Sequence, residues 1–251
     1  MKSFTAILAI MGMASPTFAE DAKTQAPKVV VDSADTGIFP DVWLKPPILA
    51  KAGLLETGEQ ERARKILSQA LAKYPPTLLA ANLTRVHALG SLEYSGVATG
   101  GTNSRKVVYV VAKGRYSSWV IEKNFHAEFS SILLRNFPQH LDKVAWEKIN
   151  PPDFHYGGSG VQAVREGQAS NRFDETLNAA GFLHPYGTAS PEEDFNSFAS
   201  RLLMGDEALW KVLERYPKTM AKAELVMAFY GKLDPVFTRE HFLSLRKPVA
   251  Q

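Results

Sequence analysis

The residues of this chain with the means to do chemistry gather in two short stretches, residues 124–138 (NFHAEFSSILLRNFP) and residues 190–195 (SPEEDF). In the first, the apolar spacing predicts a helix over 117–137, stopped by Pro138, which cannot continue it. On a wheel at about 100° per residue with Ile121 at the origin, Ile132, Phe125 and Phe129 fill an apolar arc reaching about 80°. Glu128 falls inside that arc at about −20°, with Asn124 and Ser131 beside it. A carboxylate on a buried stripe is costly unless it is hydrogen-bonded, paired or bound to a cation. Glu128 is therefore the residue on which general-base chemistry would rest, with pairing to an Arg or capping of a loop as its structural reading. His126 lies about 160° away, beside Trp119 and Leu133, so a regular helix cannot bring it to Glu128. It reads as a packed or partly exposed histidine.

Neighbouring patterns are less informative. The H-x-E of zinc deaminases needs a P-C-x-x-C partner, and a chain without cysteine excludes it. The sequence YGGSG lacks the G-x-S-x-G elbow of a serine hydrolase. Ser190, Pro191 and Glu193 form a capping box with Pro at the first helical position, and acidic residues there suit the helix dipole. His155 sits in the Pro/Gly-rich stretch INPPDFHYGGSG, and His184 shortly precedes SPEED, but no two histidines have helical ligand spacing. Ser131, Tyr156, Tyr186 and Asp194 are the further residues expected to line a cleft or orient a ligand.

The elements that must position these groups follow from periodicity. A helix is expected from the T-x-x-Q pair Thr57 and Gln60, through Ala63, Ile66, Leu67, Ala70 and Leu71, to the KYPP stop. Residues 83–112 switch to β-rich runs about a Gly-Gly turn, predicting a hairpin or meander. Helices are expected over 190–204, 206–215 and 218–230, with a short one after Thr238. The expected class is α+β, a small antiparallel sheet followed by a mostly helical C-terminal half.

The first 19 residues have a basic Lys2, an apolar run over 4–13 and small residues ending at Ala19, the pattern of a cleaved secretory signal. That run is too short for a permanent anchor, so no stable membrane insertion is expected. Residues 20–47 read as an extended leader with one short strand over 28–31, and residues 48–251 as one domain. A formal charge of +3 without a basic cluster gives no nucleic-acid footprint. The implied location is the periplasm or the medium.

Four segments, LGSLEYSGVATGG, FHAEFSSILLRNFP, FLHPYGTASPEEDFNSFASRLL and VLERYPKTMAKAELVMAFYGKLDP, in this order and spacing, resemble a family of secreted bacterial zinc-binding metallopeptidases, zincin-like proteins of the gluzincin type. The resemblance implies a zincin-like fold over most of the chain after about Leu79. In such enzymes H-E-x-x-H supplies two zinc ligands and a general-base Glu, and a downstream helix supplies a third ligand. Mapped here, Glu128 takes the general-base position and Glu193 the third-ligand position, while the histidine positions hold Ala127 and Ser131. With that degenerate motif no metal is expected, and the chain reads as a binding or interaction module for a protein, peptide or cell-wall ligand. The alternative is a metal-dependent hydrolase of peptide or cell-wall material, with Glu128 as general base and zinc on Glu193, His155 and His184.

Overall fold

A computed structural model describes residues 29–30 and 37–246. The expected signal segment and its cleavage point after Ala19 lie outside the described residues. Strands β1 (Val29–Val30), β2 (Lys51–Gly53), β3 (Arg85–Leu89), β4 (Ser91–Tyr94), β5 (Val97–Ala98), β6 (Gly101–Asn103) and β7 (Val107–Val111) form two sheets. The smaller, β2–β4–β5, is antiparallel throughout. The larger has the order β1–β3–β7–β6; β1 and β7 run parallel to β3, and β6 alone is antiparallel, at the edge beside β7.

The class is α+β, as expected, but residues 83–112 are more than a meander. The two apolar runs RVHAL and VVYVV lie side by side in parallel register, Val86 against Val108 and Ala88 against Val110. Four of the five residues in each strand are buried. Burial of nearly the whole strand is what favours parallel pairing over a solvent-facing hairpin. The expected leader also contributes to the body: Phe39 is buried against Tyr109, beside Trp43.

Helices α1 (Thr57–Leu71) and α2 (Pro76–Asn82) precede β3, and α3 (Ser118–Asn136) follows β7. Helix α1 starts without the expected Thr57–Gln60 capping pair. Thr57 is already helical, Glu56 occupies the cap without a side-chain bond, and the Gln60 amide donates to Leu55 O at 3.4 Å. In α3 the Ser117 hydroxyl accepts from Val120 N at 3.3 Å, a regular N-cap. Ile121, Phe125, Phe129 and Ile132 are fully buried, as the wheel requires. The opposite side is buried too: His126 meets the Tyr74 hydroxyl at 2.8 Å, and Lys73 donates to Glu122 at 2.6 Å. Helix α3 is thus a central helix, covered by α1 on one side and by the sheet and the later helices on the other.

Short helices α4 (Lys143–Ile149), α5 (Gly160–Arg165) and α6 (Glu175–Ala180), which periodicity did not indicate, lie before and after the Pro/Gly-rich stretch, each started by a capping side chain, Asp142, Ser159 and Asp174 in turn. Then come α7 (Pro191–Met204), α8 (Glu207–Arg215), α9 (Pro217–Leu233) and α10 (Arg239–Ser244), the helical half the periodicity predicts. Helix α7 lies along α3 and buries Phe195, Phe198 and Leu202 in the main core.

Candidate functional site

Helices α3 and α7 carry their polar faces to one cavity of about 1440 Å3. Its walls are the 97–103 segment with β6, the Lys123–Ser131 side of α3, the start of α5 and the first turns of α7. Glu128, Ser131, Tyr186 and Glu193, four of the residues singled out by sequence, line it together. Ala127 lies beside Glu128 on the same wall.

Glu128 is half-buried, and its Oε2 accepts a hydrogen bond from Asn103 Nδ2 at 2.8 Å. Arg135 in turn donates to Asn103 Oδ1 at 2.6 Å, fixing the amide so that its NH2 faces the carboxylate. Burial pushes the Glu128 carboxyl up to about 8; the charges of Glu193 and Glu192 add to the rise, against the Asn103 bond and the more distant Lys123. The edge strand comes this close because position 101 is glycine: a Cβ there would lie 2.8 Å from Glu128 Oε1. Gly160 makes the same allowance on the other side, where a Cβ would run into Glu193 Oε1 and the Tyr186 hydroxyl.

Glu193 stands at the start of α7, where its backbone N–H is capped by Ser190 Oγ at 3.1 Å, as the capping box predicts. Its side chain is a separate matter. Burial raises that carboxyl to about 7, with Glu192 adding to the rise, while a hydrogen bond from Tyr186 and the charge of Lys123 oppose it. Tyr186 is itself raised by burial and by the two carboxylates. One turn on, Asn196 is buried, lines the cavity and donates through Nδ2 to Ser131 Oγ at 2.7 Å.

Asp194 and Tyr156 belong elsewhere. Asp194 is fully buried behind the cavity wall, where Lys222 donates to its Oδ2 at 2.6 Å and the Tyr156 hydroxyl at 2.8 Å. The Lys222 ammonium is also 3.9 Å from the centre of the Phe182 ring. Burial pushes its pKa down and the Asp194 charge opposes that. His155 lines a separate recess of about 530 Å3 with Tyr156 and Phe154. His184 is buried and its Nδ1 accepts from Gly187 N at 3.2 Å, capping a short turn. The structure therefore does not bring His155 or His184 to Glu128 and Glu193. Asn103, Asn196 and the two close-approach glycines are site residues that sequence reading did not single out; the Gly-Gly and GGSG stretches were their sole signal.

This donor set does not fit the zinc ion that the fold resemblance implies. At the two positions where the resemblance would put histidine ligands, Ala127 has no donor atom and Ser131 offers a neutral hydroxyl already engaged by Asn196. Around Glu128 stand amides, a phenol and a second carboxylate, with no imidazole. Among the described residues no group of three His, Cys, Asp or Glu side chains is arranged to hold a metal.

No protein-family model and no curated protein matches the sequence. Among solved structures the chain is similar to one from Bacteroides caccae ATCC 43185, described as a "putative zinc-binding metallo-peptidase". The likeness is one of fold. The TM-score is 0.51 at 17% identity, covering 74% of this chain and 77% of that one. The metallopeptidase-like framework is thus shared at a distance, and the residues within it are this chain's own.

Proposed function

We propose that this chain is a secreted or periplasmic, zinc-free binding module that holds an extended peptide, free or from the cell wall, in the cavity between β6 and helix α3. The observation that carries the reading is the pairing of Ala127 and Ser131 at the ligand positions with a large cavity still open above them. Strand β6 ends the larger sheet and lines that cavity, so a bound chain has a sheet edge to pair with. Asn103, Glu128 and Glu193 then offer polar anchors along its length.

The hydrolase alternative keeps one supporting observation, the raised Glu128 carboxyl, which suits acid–base work near neutral pH. The histidines it would use lie away from the cavity: His155 lines the smaller recess and His184 caps a short turn. The two readings separate in one experiment. Capped peptides incubated with the purified chain are expected to bind, seen as amide shift changes at Gly101–Asn103 in NMR spectra, and to remain uncut by mass spectrometry. Turnover that disappears in Glu128→Gln would establish the hydrolase instead.

A further inference from the structure

Three side chains that carry acceptor oxygens, Glu128, Glu193 and Asn196, line the cavity from α3 and α7. Among the described residues neither glutamate takes part in an ion pair. Two basic side chains also line the cavity: Lys123 donates to Asn171 Oδ1 at 3.3 Å while its charge still favours ionised Glu128 and Glu193, and Arg135 reaches Asn103 and, at 3.8 Å, Glu192. An independent observation comes from Asn196. It is 5% exposed, its amide NH2 is held by Ser131, and its Oδ1 has no hydrogen-bond partner among the described residues. A buried carbonyl oxygen left without a donor costs free energy that a ligand N–H can return. Glu193 and Asn196 are one helical turn apart on the same face of α7, so a single group can meet both.

Resting on the reading of this cavity as a binding site, we propose that its floor recognises one protonated primary amine of the bound chain, held by Glu128, Glu193 and Asn196 Oδ1. An ammonium supplies three donors and one positive charge, which matches two carboxylates and an amide oxygen in number and sign. A carboxylate, phosphate or plain hydroxyl lacks either the donors or the charge. The amine comes from a lysine-like side chain or from a free amino terminus, and the shared chemistry is the ammonium group.

Calorimetric titration of the purified chain separates these sources and tests the proposal. The probes are a capped Gly-Gly-Lys-Gly-Gly peptide, its Nε-acetylated counterpart, free pentaglycine and N-acetylated pentaglycine. One charged member of a pair is expected to bind at least about tenfold more tightly than its acetylated partner. Glu128→Gln and Glu193→Gln are each expected to bring the charged peptide down to the acetylated one, with folding checked by thermal unfolding. Equal binding within both pairs overturns amine recognition and leaves the binding-module reading standing. If no peptide binds, both fail. Zn2+ binding with one-to-one stoichiometry, displacing the peptide and lost in Glu128→Gln, overturns the amine in favour of a metal.

Discussion

Two glutamates of the same helix show how position decides the behaviour of a carboxyl. Burial would raise Glu122, but hydrogen bonds from His126 and Lys73, with their charges, outweigh it and hold the group down at about 2. Its stabilisation is present above the unfolded value of about 4.3 and is lost as pH falls from there toward 2. Glu122→Gln is expected to cost about 3 kcal/mol at pH 7 and little at pH 2.5, read from urea midpoints at the two values. Glu128 has the opposite sign. Raised by burial to about 8, it is most favourable to the fold when protonated, and stability drains away as pH rises from about 4.3 through 8. Glu128→Gln is expected to stabilise the chain by about 2 kcal/mol at pH 8.5, after allowance for solvent in the cavity, and to be near neutral at pH 4. Equal effects at both pH values would contradict this account of Glu128. The helical wheel placed Glu128 and turned His126 away from it correctly. It could not supply Asn103 or Asn196, since those partners lie 25 residues from Glu128 and 65 from Ser131, joined only by the tertiary fold.

At the scale of elements, the site depends on how closely β6 and α5 approach the helices and on how α7 is pinned to α9. The Lys222–Asp194 pair makes the second connection without any exposure to water. Lys222→Ala is expected to destabilise by about 3–5 kcal/mol, because it strands Asp194 in the core. The double change Lys222→Met with Asp194→Leu is expected to cost less than that single, a comparison that denaturant titration makes directly. At Gly160, a valine would drive its side chain into Glu193 and Tyr186. The expected outcome is weaker peptide binding with an unchanged far-ultraviolet circular dichroism spectrum. Long helices were legible because their apolar spacing repeats over several turns: α3, α7, α8 and α9 lie where periodicity puts them. Helices α4, α5 and α6, of six or seven residues, are too short for a period to register and rest on their caps. The β-rich runs announced strands but not partners, and the parallel pairing of β3 with β7 is set by the core they share.

For the whole molecule, fold and site carry separate messages. The framework is similar at a distance to that of a structure described as a putative zinc-binding metallo-peptidase. Fold alone does not establish activity, and the positions where the resemblance would put zinc-binding histidines hold Ala127 and Ser131. The sequence resemblance raised that mismatch as an expectation; the cavity beside Ala127 and Ser131 required the structure. The central proposal is that the chain binds its ligand without zinc. Elemental analysis of the purified protein, never exposed to chelator, tests it most directly. The account predicts zinc far below one ion per chain and no change in thermal stability on adding EDTA. One tightly held zinc ion per chain, whose removal lowers the melting temperature, would contradict it.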